Sequence, residues 1–481
     1  MNRLVDCVRA AYWLIKEEVP HTTKYCSLLS LCRELDGSGR MNLWQQTRPA
    51  NATYLSHNVP GEFLNAIEEH LHTNLRDRVN PDNLNVPFVS VMADEATDLR
   101  KRTILSVCLR YLGKNGQPIE YFAGLTELNN TDAATVTDGI LLILERANIN
   151  PNMVMWLSFD GASNMSGKNA GTQALMINNH TKLAVYIHCR SHALQLVCVN
   201  AAQRFSDIKK IFSVLNSLWR VLYNSPKKLR QFKAIQEILE DPDIELYRAG
   251  ETRWISHYRC ISATTRCLNS IITTLQQIHS DGDDLSSEAA GLLLTLQTEK
   301  GITLLFAMQR ILQPLSILAK QLQSPTATLS TMKENVDTAK STLCEILEQP
   351  HLYEDEVKLF LEANKIALVN EPSSTNVAGY KKNIQSFINR LLQNTSTRFS
   401  GEVMAMCTST TVFDPRLPDS GISACNEHLR IICKSHPKLR TLTEEVLEEF
   451  RVFRNHLLIL RQKEKPPSST DVLLSLVDAE N

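Results

Sequence analysis

No two of the twelve cysteines form a Cys-x-x-Cys pair. Their spacing (Cys7, Cys26, Cys32, Cys108, Cys189, Cys198 and onward) builds no compact disulfide framework. The first residues, "MNRLVDCVRAAYWLIKEEVP", carry no charged-then-apolar leader ending in small residues. No run reaches the roughly 18–20 apolar residues that cross a bilayer. These absences point to a reduced, soluble, intracellular protein with no membrane partner. A surplus of either charge is missing too, with a net charge of −1 and a pI of about 6.9. Nucleic-acid binding must then come from local patches, because no overall basic field exists. Aromatics are scarce at 6% and no internal repeat is visible. With 43% hydrophobic and 21% charged residues in 481, the chain is neither fibre nor disordered tail and has room for about two to four packed domains.

The hydrophobic period changes along the chain. Residues 1–82 carry helix-spaced apolar positions in "LVDCVRAAYWLIKEEV" and "GEFLNAIEEHLHTNLRDRV". The pattern then turns to strands over 86–94, 103–113 and 119–124, with Asn-Gly in "KNGQP" as the hairpin turn between the second and third. A helix over 131–149, a strand over 152–159, a glycine-rich turn with a short helix, and a strand over 182–188 follow. From about residue 200 the reading is nearly all helix: 204–223, 226–240, 257–280, 285–323, 328–348, 351–368 and 376–395. Polar breaks stand at 279–290 and 370–379. Three strands, then helix, strand, helix, strand, helix is the order of an α/β, ribonuclease-H-like mixed five-stranded sheet. In it the first and fourth strands lie side by side in parallel, because the crossover is right-handed. The expected division is a helical N-terminal region over 1–82, a ribonuclease-H-like core over 83–256, a large all-helical insertion over 257–412 and a C-terminal helical segment over 413–481.

That order puts two carboxylates, Asp94 and Asp160, at the ends of neighbouring parallel strands. Hard cations such as Mg²⁺ or Mn²⁺ take oxygen ligands, and paired metals held by carboxylates activate water for phosphodiester cleavage. Either Asp alone is as well explained as a turn or cap residue. "YIHCRSHALQLV" places His188, Cys189 and His192 at a strand-to-helix junction. Cys and His three apart suit a zinc ligand pair, but no second pair stands nearby, so packing competes with that reading. In "GETRWISHYRCI", Arg253 and Trp254 fit stacking on an unpaired base beside a phosphate, or a Trp closing a helix–helix contact. Between Arg204 and Lys233 the basic residues include Lys209, Lys210, Lys227 and Lys228, against the single acid Asp207. This stretch is the natural place for phosphate contacts.

Together these segments resemble the hAT superfamily of DNA transposases, and in particular host-adopted proteins similar to the bodies of zinc-finger proteins with hAT-like domains. "VMADEATDLRKRTILSVCLRYL" resembles the first catalytic-Asp segment and "LSFDGASNMSGKNAG" the second. "HCRSHALQLV" resembles the C-x-x-H motif and "ETRWISHYRCI" the Arg-Trp motif. The resemblance implies metal-binding, catalytic roles for Asp94 and Asp160, the C-x-x-H pair Cys189 and His192, and DNA contacts by Arg253 and Trp254. It also implies nuclear residence and dimerisation through a C-terminal segment. Two family features are missing from the sequence: the Glu-bearing stretch that follows the insertion, and a zinc finger near the N-terminus, which Cys26, Cys32 and His21 do not supply. Glu444, Glu445, Glu448 and Glu449 lie near the chain's end in a different context. The expectation is a transposase-derived nuclear protein, catalytically inactive, that keeps DNA or protein partners and forms a homo-oligomer only without the usual dimerisation segment. The alternatives are an active metal-dependent transposase or nuclease, with the third carboxylate drawn from 444–449, and a helical interaction scaffold with no DNA affinity.

Overall fold

The computed structural model describes residues 2–37, 54–79, 89–113, 118–250, 254–282, 284–324, 327–369, 374–414, 416, 419–463, 465 and 467. Three helices come first: α1 (Asn2–Lys16), α2 (His21–Leu35) and α3 (Val59–Val79). Cys7, Ala11 and Leu14 of α1 close on Tyr25 and Leu29 of α2 in a small core of their own. The sheet follows, with β1 (Val89–Thr97), β2 (Thr103–Leu112), β3 (Pro118–Leu128), β4 (Val154–Ser158) and β5 (Val185–Tyr186). Its strand order is β3-β2-β1-β4-β5, which is the mixed five-stranded ribonuclease-H-like sheet that the sequence order implies.

β1 and β2 pair antiparallel, with Asp94 opposite Ser106, and β2 pairs β3 antiparallel with Cys108 opposite Phe122. The Asn-Gly turn between β2 and β3 lies outside the described residues. β1 pairs β4 in parallel, Val91 opposite Leu157 and Met92 opposite Ser158. The crossover joining them is α4 (Ala133–Arg146), capped by Asp132, whose side chain accepts from the Thr135 amide at 2.8 Å. One face of the sheet, with Val89, Val91, Leu105, Val107, Leu109, Val154 and Leu157, is buried against Val136, Ile140, Ile143 and Leu144 of α4. Strand alternation turns Met92, Asp94, Ser106, Cys108 and Ser158 to the other face. β1 runs three residues beyond the expected end at Asp94, and β3 reaches Leu128. The ladder explains both extensions. Asp94, Glu95 and Ala96 find partners in Ser106, Leu105 and Ile104, so paired backbone carries polar residues that local pattern reads as loop.

The remainder is helical. α5 (Arg190–Ala202), α6 (Ser206–Tyr223), α7 (Pro226–Ile238), α8 (Trp254–Arg266), α9 (Leu268–Asp281), α10 (Ser286–Leu296), α11 (Glu299–Leu322), α12 (Leu329–Glu348), α13 (His351–Asn364), α14 (Ser374–Arg398) and α15 (Gly401–Ser409) share one continuous apolar core from Ala193 to Cys407. The long helices expected over 257–280 and 285–323 are each two. Cys267 breaks the first, and Gln297 and Thr298 break the second, where the Thr298 side chain caps α11. α11 is long and apolar enough to cross a membrane, contrary to the sequence reading. Ile302, Leu305, Ala307, Met308 and Ile311 are all but fully buried, so in this fold it is the central pillar of the helical core. α16 (Ile422–Ser435) and α17 (Thr443–Arg461) close a last small core with Val412, Leu429, Phe450 and Leu457. His436, just past α16, packs its ring 6.2 Å from Trp156 of β4.

Gly139 sets how closely α4 approaches the sheet. A Cβ there would stand 2.9 Å from Leu105 Cδ2 and 3.2 Å from both Leu128 Cδ2 and Thr126 Cγ2. Gly139→Val is expected to destabilise the fold by about 1–3 kcal/mol, because a well-packed interface yields to added bulk only by strain. A thermal melt followed by circular dichroism reads this directly, and an unchanged midpoint would contradict the packing.

Candidate functional site

Parallel pairing of β1 with β4 brings the two sequence-predicted acids to one place. Asp94 and Asp160 both line a cavity of about 890 Å³ between the second face of the sheet and the helical body. Met92, Ser106, Cys108, Glu120 and Ser158 form its sheet side. Cys189, His192, Leu194, Gln195 and Cys198 enter from the start of α5. Arg259 of α8 and Leu312, Leu315, Ser316, Ala319 and Gln323 from α11 and its end complete the lining. Cys189 and His192, expected only as a motif, thus share the cavity with the two acids.

The segment after β4 is held by its own polar groups. Asp160 Oδ1 accepts from the Ala162 amide at 3.0 Å, so the residue does act as a turn former while lining the cavity. Backbone bonds continue β4 into the motif: Ile187 N donates to Leu157 O and Cys189 N to Phe159 O, each at 2.8 Å. The Tyr186 hydroxyl donates to Asp160 O at 3.2 Å, and burial with Asp160 nearby pushes its acidity far out of reach, so it stays a donor.

Gly161 is required by a close approach. A Cβ on it would lie 2.8 Å from His188 Nε2 and 3.1 Å from His192 Nε2, so the two imidazoles, 5.5 Å apart by ring centre, converge over this residue. His188 Nε2 is buried without a hydrogen-bond partner. Burial first, then His192, Arg190 and Arg398, hold His188 below the usual histidine range, with Asp160 opposing. Arg190 Nη1 donates to the Arg398 carbonyl at 3.2 Å, tying the start of α5 to the end of α14.

Glu95 is a neighbour that sequence reading missed. It follows Asp94 on the strand and so turns to the other side. There Asn164 Nδ2, from the glycine-rich segment, donates to its Oε1 at 3.0 Å and to Thr131 O at 2.7 Å. Burial raises the Glu95 carboxyl above its ordinary value against the Asn164 bond, and Asp160 and Asp94 push it the same way. The signal was the third polar residue in "MADEATD", hidden by ending the strand at Asp94. Arg259 was missed for another reason. Its guanidinium lies 4.1 Å from the Tyr247 ring centre, a contact formed only when α8 packs back on the preceding segment.

The remaining candidates lie elsewhere. Arg253 lies outside the described residues, and Trp254 opens α8 with its side chain outside them too. Lys209, Lys210 and Lys227 are exposed on α6 and α7. Lys228 is a correction. It is 3% exposed, its ammonium stands 3.7 Å from Asp281, and a cation so buried does not reach a phosphate. Acids from other helices also answer the rest of the stretch, with Arg220 on Glu288, Lys233 on Asp243, and Lys300 on Asp207. Glu444, Glu445, Glu448 and Glu449 are exposed on α17, Glu444 bridging Arg430, and none lines the cavity.

The fit to a divalent metal is therefore incomplete. Asp94 and Asp160 offer hard oxygen donors, as Mg²⁺ or Mn²⁺ requires. Among the described residues no group of three or more His, Cys, Asp or Glu is arranged to hold a metal ion.

The depressed His188 has a stability consequence. The unfolded chain takes a proton near pH 6.5 and the folded chain only lower, so stability is full above that value and falls as pH drops through it. Chemical denaturation between about pH 7.5 and 5 is expected to show this loss reduced in His188→Gln, with the buried His436, depressed likewise, supplying a remaining loss of the same sign. An identical profile in the variant would remove the assignment.

Residues 22–171, spanning the second N-terminal helix through the segment after Asp160, match a family described as ZMYM1/FAM200, RNase-like domain.

Proposed function

We propose that this chain is a transposase-derived, ribonuclease-H-like protein that binds nucleic acid at the Asp94–Asp160 cavity and does not cut it. The observation that carries this reading is the cavity itself, in which both acids, the C-x-x-H pair and Arg259 meet on one face of the sheet. The match to an RNase-like domain over residues 22–171 supports the ancestry. Two-metal phosphodiester cleavage needs ligands that fix both ions, and misplacement by about 1 Å costs on the order of 100-fold in rate. Two carboxylates, one already engaged in its own turn, fall short of that requirement. Nuclear residence belongs with this reading.

A second reading, a helical interaction scaffold without DNA affinity, draws on the basic stretch. Arg220, Lys228 and Lys233 are paired with acids, which weakens that surface as a phosphate track.

Two measurements on the full chain separate these readings. Calorimetric titration with Mn²⁺ is expected to show weak binding that disappears in the Asp94→Ala/Asp160→Ala variant. Supercoiled DNA incubated with the parent chain and Mn²⁺ is expected to be retarded on a gel but not nicked. Nicking that is lost in the double variant would replace this reading with an active nuclease. No retardation at any protein concentration would favour the scaffold.

A further inference from the structure

The cavity that holds the two acids has a roof. Leu312, Leu315 and Ala319 of α11 line it from the helical side and are themselves at most 4% exposed, so this wall belongs to the rigid pillar of the helical core. The sheet is tied to the same body at two points. Arg110 Nη2 of β2 donates to the Ala327 carbonyl, just beyond α11, at 2.6 Å, and Arg190 Nη1 reaches the Arg398 carbonyl at 3.2 Å. Both ties hold the roof at a fixed height above the carboxylates.

At about 890 Å³ the enclosed space is that of a small-ligand pocket, which typically runs from roughly 300 to 1,000 Å³. A nucleotide with its phosphate is of this size. A duplex keeps its bases stacked between two backbones and enters such a space only by turning a nucleotide out, at a cost in unstacking and unpairing. The lining matches an unpaired nucleotide. Met92, Phe159 and Leu315 offer apolar surface to a base or sugar. Arg259 offers a guanidinium steadied by Tyr247 and free of ion pairs among the described residues, placed to take a phosphate.

We propose that the cavity accepts an unpaired nucleotide of a single strand and excludes duplex, with Arg259 as its phosphate anchor. This rests on the nucleic-acid reading above and names the form of the ligand. The roof makes the selection, because the ties through Arg110 and Arg190 prevent the helical body from lifting to admit a second strand. DNA and RNA strands share the chemistry used here, so both are tested.

Fluorescence anisotropy on the full chain, with a labelled single-stranded DNA, the same strand as RNA, and the DNA duplex, is the test. At least one single strand is expected to bind about tenfold or more tightly than duplex, in keeping with one charged contact kept or lost. Arg259→Gln, at an exposed position, is expected to weaken single-strand binding by about tenfold with an unchanged melting curve. Ala319→Trp, which fills the cavity from the roof, is expected to do the same. Duplex bound as tightly as single strands overturns the proposal while leaving nucleic-acid binding in place. Single-strand affinity unchanged in Arg259→Gln overturns the anchor. No binding of any of the three removes the nucleic-acid reading itself, and the proposal with it.

Discussion

The parallel ladder between β1 and β4 is the constraint on which the site depends. Residues Val91 and Met92 sit beside Leu157 and Ser158, chain segments more than sixty positions apart in sequence, and that register brings Asp94 and Asp160 to one cavity. A parallel pair needs a crossover, and α4 supplies it by lying on the apolar face of the sheet. Because α4 covers that face, every polar side chain of the strands that alternation sends the other way is left for the site. Gly139 keeps the helix close enough for the arrangement to hold.

The second face is closed by a different kind of matter. Helices α5, α8 and α11 belong to the large helical core, whose packing owes nothing to the sheet's own apolar face. The cavity is therefore a seam between two cores. Few side chains stitch it: Arg110 to the Ala327 carbonyl, Arg190 to the Arg398 carbonyl, and the His436 ring against Trp156. Seams of this sort are where pockets form, since neither core can fill them completely. Here the sheet brings carboxylates, and the helical body brings the imidazole of His192, the guanidinium of Arg259 and an apolar wall.

Charge follows the same division. The carboxylates sit together on the sheet, where Glu95 is raised by burial and by its two acidic neighbours. The histidines and Arg190 gather at the start of α5, where burial and mutual repulsion hold His188 neutral more readily. Gly161 lies between the groups, and the close approach of both imidazoles there leaves no room for a side chain. The basic run on α6 and α7, by contrast, meets acids from α9 and from the segment after α7, so its field is much reduced.

The sequence by itself determined the strands, their order and the positions of the two acids. Alternation and turn residues are local, and the right-handed crossover leaves one arrangement for a strand–helix–strand unit. It also marked Cys189 and His192, because their spacing at a helix start is a local property. Tertiary structure decided the rest. That Lys228 is buried against Asp281 follows from how α7 packs on α9, two helices that share no local signal. That Arg259 faces the cavity follows from Tyr247 turning back beneath it, and that Glu95 joins the acids follows from a ladder longer than its apolar run. The roof over the carboxylates is likewise a product of long-range packing: α11 reads in sequence as one long apolar helix, and only its neighbours determine which of its residues look onto the site.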